Sequence, residues 1–344
     1  MWKKTLTLLL IPFLSYSQEN IQFSETIIIE DLERHLNILA SDSLEGRETG
    51  KKGQKMAADY IMNHFKNIGI PPYKKNTYYQ KFKVKSGRHL CKCDDCDVSL
   101  VKKIFKNKKK IKGENVLGYI EGTDLKDELI IITAHYDHLG KHDSLIFNGA
   151  DDDGSGTVAA MEIAEAFMLA KKAGNGPRRS VLIMPVSGEE KGLLGSKYYA
   201  DHPIYPLEST VANLNIDMIG RIGDFKDNPN YVYLIGSDML STELHNISEE
   251  VNKKHIGLEL DYTFNKEDDP NRYYYRSDHY NFAKNNIPVI FYFNGIHEDY
   301  HKATDTIEKI NFQKIETIAR LVFLTAWELA NRDERIVVDK ASEK

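Results

Sequence analysis

The sequence contains short, continuous apolar runs that alternate with segments of helical periodicity. The clearest runs cover residues 128–134, 179–187 and 287–293. A run without polar alternation predicts a strand that is buried on both faces, as in a parallel sheet covered by helices. We therefore predict one α/β domain over residues 26–331, with a mixed, mostly parallel sheet and helices on both faces.

Weaker patterns supply the remaining elements of this predicted domain. Amphipathic spacing and turn residues predict further helices at 26–40, 57–68, 241–255 and 312–330, one after Gly156, and a short one within 188–200. Further strands are predicted at 78–84, 115–120, 211–218 and 231–235. Helices and strands alternate along the chain, which is typical of the α/β class.

Residues 1–17 have the pattern of a secretory signal peptide. Lysines precede an apolar run at 6–14, and small residues follow it. The run is shorter than the roughly 18 residues that a membrane helix needs, and no later segment reaches that length. We expect a mature protein that begins near Gln18, is secreted or periplasmic, and has no membrane span; residues 332–344 are predicted to be a C-terminal tail.

A surface excursion is predicted at about 86–112. It contains Cys91, Cys93 and Cys96, and a lysine-rich run follows them. A local disulfide or an exposed loop is favoured there over a metal clip completed by His89, because a closed zinc site usually has four ligands. The net charge of -5 argues against a nucleic-acid partner.

Side chains that bind metals or move protons follow the predicted strands. They are His135, then Glu189 and Glu190, then Asp217, then Tyr300 and His301, while Asp151 lies in the loop before the helix at Gly156. Because sites in open α/β sheets form outside the carboxyl ends of the strands, we expect these side chains at one rim. The sequence therefore predicts a metal site.

The predicted ligands exceed what one catalytic zinc usually takes from protein. They comprise two histidines and three carboxylates: His135, His301, Asp151, Glu190 and Asp217. Two zinc ions, or other first-row divalent ions, would use all five if one carboxylate bridged them. Asp137 lies on the same side of an extended backbone as His135, so we expect its carboxylate to orient that ring rather than bind metal. Taken singly each residue has an ordinary explanation, such as a helix cap for Asp153.

Five segments, in this order, closely resemble the M28 family of zinc peptidases: TAHYDH, NGADDDGSGT, SGEEKGLLGS, NIDMIG and DYHKATDT. The segment LASDSLEGRETGKKGQKMAADYI resembles the N-terminal region of the same family, so the resemblance spans roughly residues 30–330. It implies the phosphorylase/hydrolase-like fold of secreted bacterial di-zinc aminopeptidases. It also implies an enzyme that hydrolyses N-terminal residues from peptides with a free N-terminus.

The resemblance also implies a role for each site residue. His135 and Asp217 would hold one zinc, Glu190 and His301 the other, and Asp151 would bridge the two. Glu189 matches the general base of the family, and Tyr300 a tyrosine that hydrogen-bonds the oxyanion in some members. A cis peptide bond between Asp151 and Asp152 is implied as well.

Two other functions are open for this fold. A glutaminyl cyclase-like aminoacyltransferase would use one zinc and fewer ligands, and a non-catalytic binding relative would lack ligand residues. The complete set of ligand types favours hydrolysis.

Overall fold

The computed structural model describes residues 21–85 and 110–340. The predicted signal peptide and the three cysteines lie outside the described residues, as does most of the predicted excursion at 86–112. From Lys110 onward that excursion already belongs to a strand.

A seven-stranded sheet forms the centre of the described structure. Its strands are β3 (Gly118–Ile120), β4 (Leu125–His135), β7 (Arg179–Val186), β8 (Thr210–Ile216), β9 (Tyr231–Ile235), β10 (Glu259–Asp261) and β11 (Val289–Phe293). Two further pairs lie outside this sheet: β1 (Tyr79–Lys85) with β2 (Lys110–Val116), and β5 (Gly140–His142) with β6 (Leu145–Phe147).

The strand order in the central sheet is β10-β9-β11-β8-β4-β7-β3. Strands β11, β8, β4 and β7 run parallel to one another. Strand β9 runs antiparallel to β11, and β3 runs antiparallel to β7. The sheet is therefore mixed and mostly parallel, as predicted, and the carboxyl ends of four adjacent strands meet at one edge.

Helices cover both faces of this sheet. They are α1 (Ile29–Leu39), α2 (Lys52–Ile68), α3 (Gly156–Lys172), α4 (Leu194–Asp201), α5 (Thr242–Val251), α6 (Tyr280–Ala283) and α7 (Phe312–Asn331). Alternate residues of β4 point to opposite faces of the sheet. Ile130 and Ile132 pack in the core formed with α1, α2, α3, α5 and α7, whereas Leu129 and Ile131 pack in the core that includes residues of α4 and α6. The continuous apolar run of β4 follows from this double burial.

Two predicted elements differ from the structure. The single strand predicted at 115–120 is divided at Leu117, because β2 pairs with β1 whereas β3 joins the edge of the central sheet. The predicted helix at 241–255 ends at Val251 and continues as a wider turn over Asn252–Ile256.

The predicted C-terminal tail packs against the domain over its described part. Ile336 is buried, and the backbone N–H of Val337 donates to the carboxylate of Glu243 at 3.0 Å. Across residues 21–85 and 110–340, none of the helices combines the length and apolar character needed to cross a membrane.

Candidate metal centre and active site

The carboxyl edge of the sheet gathers the side chains that the sequence places after each strand. His135 ends β4 and Asp217 follows β8; Glu189 and Glu190 follow β7. His301 lies beyond the end of β11. The structure forms two groups of metal-binding atoms here, one from His135, Asp152 and Asp217, and one from His138, Asp152 and Glu190.

The first group has the spacing of ligands around one ion. Nε2 of His135 lies 3.2 Å from Oδ1 of Asp152 and 3.5 Å from Oδ1 of Asp217. Zinc–ligand bonds of about 2.0–2.1 Å in a tetrahedron place neighbouring ligand atoms roughly 3.3–3.4 Å apart. These three side chains therefore fit a zinc ion.

The second group uses the other oxygen of Asp152. Nε2 of His301 lies 3.2 Å from Oδ2 of Asp152 and 3.4 Å from Oε2 of Glu190. Nδ1 of His138 lies 2.8 Å from Oε1 of Glu190. Oδ2 of Asp152 and Oε1 of Glu190 are buried and make no hydrogen bond to any described residue. Buried carboxylate oxygens without a partner are expected where a cation binds, so this group also fits a metal ion.

The predicted bridging residue, Asp151, does not lie between these groups, and Asp152 occupies that place. Oδ1 of Asp151 accepts a hydrogen bond from the backbone N–H of Gly220 at 2.6 Å, and its Oδ2 lies 3.1 Å from Nε2 of His297. Adjacent residues of an irregular loop project their side chains differently, so the tandem carboxylates have separate partners. The geometry therefore favours Asp152 over Asp151 as the shared ligand.

The predicted cis bond is wrong by the same single residue. The cis peptide joins Asp152 and Asp153, not Asp151 and Asp152. Asp153 links the loop to its surroundings: its carboxylate accepts from the backbone N–H of His135 at 3.0 Å and from that of Gly156 at 2.9 Å. The contact to Gly156 joins Asp153 to the first residue of α3, whose N-cap is Ser155 rather than Asp153.

Two buried charged residues hold the loop in place. The carboxylate of Asp305 accepts from the backbone N–H groups of Asp151 at 3.1 Å and Asp152 at 3.2 Å. The guanidinium of Arg47, in the segment LEGRETG, donates to backbone carbonyls of four residues: Leu39, Tyr136, Asn148 and Gly149. Arg47 thereby joins the end of α1 to both ends of the loop that carries His135 and Asp152.

Outer partners orient the candidate ligands of the first group. Nδ1 of His135 donates to the backbone carbonyl of Asp137 at 3.0 Å, whereas the Asp137 carboxylate lies 4.0 Å away. The expected contact to the carboxylate is therefore replaced by one to the carbonyl, because Thr49 and the N–H of Glu189 bind that carboxylate. The hydroxyl of Ser277 donates to Oδ2 of Asp217 at 2.7 Å.

A small cavity opens onto the candidate metal groups. Glu189 and Tyr300 line it, while the neighbouring Glu190 belongs to the second group. The ring of Tyr300 stacks on that of His301, with 3.9 Å between ring centroids. Apolar and aromatic side chains form much of the remaining wall: Met218, Tyr273, Phe291, Phe293 and Ile296. The cavity thus places a carboxylate and a phenol beside the metal groups.

The pKa shifts of the site residues reflect its excess of carboxylates. Burial, the largest single effect, would lower the pKa of His135, but the carboxylates of Asp217, Asp152 and Glu189 together outweigh it and raise the pKa well above its usual value. The pKa of His301 is raised to about 11, since Glu190 and Asp152 outweigh the opposing effect of burial. Burial raises the pKa of Glu189 well above its usual value. In the absence of a cation, the site attracts positive charge.

Sequence reasoning missed several residues of this site. His138 stands three positions after His135 in the same loop, and this spacing of two histidines could have indicated a second candidate ligand. Three further residues, Ser277, Asp305 and Arg47, contact parts of the site that lie 60 to 154 residues away along the chain. The bond from Arg47 to Leu39 is the local exception. Periodicity and strand ends do not reveal such contacts.

Comparison with known proteins identifies relatives of this chain. The sequence model of peptidase family M28 matches residues 115–326, more than half of the chain. A probable glutamate carboxypeptidase of Arthroderma benhamiae is 34% identical over 145 residues, which are 41% of this chain and 17% of the relative. A probable leucine aminopeptidase of Trichophyton verrucosum is 31% identical over 214 residues, which are 59% of this chain and 55% of the relative. The chain therefore spans less than two thirds of the length of these relatives.

Solved structures share the fold. A zinc aminopeptidase from Bacillus subtilis superimposes with a TM-score of 0.65 at 17% identity, covering 91% of this chain and 98% of that structure. At this identity the likeness concerns the fold alone. It agrees with the mixed sheet described above.

Proposed function

The chain belongs to peptidase family M28, and we propose that it is a zinc-dependent exopeptidase that removes N-terminal residues from peptides. The observation that carries this proposal is the position of Asp152. Its two oxygens lie 3.2 Å from Nε2 of His135 and 3.2 Å from Nε2 of His301, respectively. One carboxylate shared between two ligand groups is the arrangement expected for a two-metal hydrolytic site.

The proposed ligands divide into two sets. His135 and Asp217 would hold one zinc ion, Glu190 and His301 the other, and Asp152 would bridge them. His138, at 2.8 Å from Glu190, would support the second set as a ligand or as an outer partner. The chemistry that zinc supplies in such sites is Lewis acidity, which activates water and polarises a carbonyl group.

Glu189 would act as the general base. It lines the cavity without belonging to either ligand group, so its carboxylate is available to take a proton from the attacking water. The same carboxyl group would then deliver the proton to the leaving amine. The hydroxyl of Tyr300, on the cavity wall, would donate a hydrogen bond to the oxyanion that develops on the scissile carbonyl.

The cavity wall suggests the kind of first residue that is removed. Phe291, Phe293, Ile296 and Met218 line the cavity and would surround an apolar side chain. The related probable leucine aminopeptidase fits this inference. The related probable glutamate carboxypeptidase makes carboxypeptidase activity the alternative to be tested.

The test uses the zinc-loaded protein and three substrates. They are leucyl-arylamide, a peptide with N-terminal glutamine, and an N-blocked peptide with C-terminal glutamate. Release of arylamine supports the proposal. Pyroglutamate formation would indicate a glutaminyl cyclase-like enzyme, release of glutamate a carboxypeptidase, and inertness towards all three a binding protein; each of these results would overturn the aminopeptidase proposal.

We also propose export of the protein through the segment at residues 1–17, with a secreted or periplasmic product. The apolar run followed by small residues supports this. N-terminal sequencing of the protein from its native host should give a mature start near Gln18. An intact N-terminal Met would contradict the proposal.

A further inference from the structure

A second cluster of metal-binding side chains lies between the helices of the domain, apart from the candidate active site. It comprises His35 of α1, His64 of α2 and Glu162 of α3, each with a ligand atom within 4.8 Å of the others. We propose that these side chains bind a first-row divalent cation such as Zn²⁺, which joins three helices that pack on one face of the sheet. Two imidazoles and a carboxylate are a donor set that zinc takes.

Two side chains of this cluster bring buried polar atoms close together. Nε2 of His35 and Oε1 of Glu162 lie 3.1 Å apart, and each side chain is 2% exposed. Neither atom forms a hydrogen bond with any residue that the structure describes. The separation is close to the roughly 3.3–3.4 Å expected between neighbouring ligands of tetrahedral zinc. It also resembles the 3.2 to 3.5 Å separations of the candidate active site.

Both imidazoles have a partner on one ring nitrogen, as metal-binding histidines usually do. Nδ1 of His35 lies 2.6 Å from the hydroxyl of Tyr60. Nε2 of His64 lies 3.2 Å from the backbone carbonyl of Met161, and because a carbonyl only accepts, Nε2 must carry the proton. The lone pair of neutral His64 is then on Nδ1.

Burial shifts the pKa values of all three side chains in the cluster. Burial lowers the pKa of His35 and of His64 to about 4, so both rings are neutral at pH 7. Burial raises the pKa of Glu162 to about 8, and the nearby Asp31 adds to that effect. The other ionisable groups that face the cluster are Arg34, Tyr60 and Glu165.

A bound ion would stabilise the position of helix α3, which follows the loop that carries Asp152. Helix α3 begins at Gly156, directly after the loop that carries Asp152 and Asp153. Glu162 lies six residues into that helix, about 9 Å along its axis at 1.5 Å per residue. An ion bound there would link α3 to α1 and α2, and three protein ligands would leave one tetrahedral position for water.

The experiment counts zinc ions per chain after the protein has been stripped with a chelator, reloaded and desalted. Glu162→Gln, which keeps the shape of the side chain, should bind one ion fewer than the unmodified protein. Glu33→Gln, an exposed change on α1, is the matched control and should bind the full number. Because the readout is a difference between variants, it does not depend on the peptidase proposal.

A second variant distinguishes the loss of a ligand from a folding defect. His64→Gln removes a different ligand and should give the same loss of one ion, with far-ultraviolet circular dichroism unchanged. Asp152→Asn, which alters only the active centre, should keep the ion at this cluster. Equal zinc counts for the unmodified protein, Glu162→Gln and His64→Gln would overturn the proposal and leave a hydrogen-bonded polar cluster in its place.

Discussion

Asp151 and Asp152 are adjacent in the chain, yet only the carboxylate of Asp152 is shared by the two groups of candidate metal ligands. That of Asp151 instead accepts a hydrogen bond from the backbone of Gly220 at 2.6 Å. The two residues offer a matched pair of substitutions, since each replaces a buried aspartate by asparagine in the same loop. They separate a metal-binding role from a structural role.

Asp152→Asn should abolish tight zinc binding. Loss of an outer partner typically lowers metal affinity by about 10–100-fold, and loss of a shared ligand should cost more. Asp151→Asn should retain zinc but lower the free energy of unfolding by about 1–3 kcal/mol, because a charge-assisted hydrogen bond is weakened. Elemental analysis and denaturant unfolding measure the two effects. Loss of zinc in Asp151→Asn with retention in Asp152→Asn would restore the original assignment.

Glu189→Gln should lower kcat by about 100- to 10,000-fold while the zinc content stays constant. The amide cannot accept the proton of the attacking water. Glu308→Gln, an exposed change of the same kind, should leave kcat unchanged. A variant at Glu189 that keeps its activity, or that loses zinc, would show that this residue is not the general base.

The pH profile of kcat/KM should report the same carboxylate. Burial raises the pKa of Glu189 well above its usual value. Since the base acts only when deprotonated, activity should fall as the pH falls through that raised pKa. The residual activity of Glu189→Gln should lack this acid limb. A variant that keeps the limb would contradict this assignment.

Tyr300→Phe should lower kcat by about 100- to 1,000-fold, the usual cost of one oxyanion donor. KM should change little, because the hydrogen bond forms chiefly in the transition state. Tyr275→Phe, at an exposed tyrosine outside the cavity lining, serves as the control. An unchanged kcat together with a raised KM would assign Tyr300 to substrate binding instead.

Arg47→Ala should destabilise the protein strongly. Its guanidinium is buried and donates to four backbone carbonyls, which would lose their partners together. We expect a loss of about 3–5 kcal/mol in the free energy of unfolding. Arg335→Ala is the matched control, since Arg335 also donates to backbone carbonyls but is exposed, and it should cost under about 1 kcal/mol.

The sequence was sufficient to predict the sheet and the edge where the site lies. The buried strands are continuous apolar runs because helices cover both faces, and the residues that follow β4, β7, β8 and β11 meet where those parallel strands end. His135, Glu190, Asp217 and His301 could therefore be placed by strand ends alone. Their grouping around shared metals came from the family resemblance.

The residues that hold the catalytic loop could not be predicted in the same way. The choice between Asp151 and Asp152 depends on side-chain directions in an irregular loop, which Asp305 and Arg47 fix from distant parts of the chain. Periodicity gives no information about such directions. The division of residues 115–120 at Leu117 likewise depends on which strand each half pairs with.

The most direct test of the account is anomalous X-ray diffraction from zinc-loaded crystals at the zinc absorption edge. It should show two peaks at the edge of the sheet, one bounded by His135 and Asp217 and the other by Glu190 and His301, with Asp152 between them. A single peak, or two peaks joined by Asp151, would contradict the proposed metal centre.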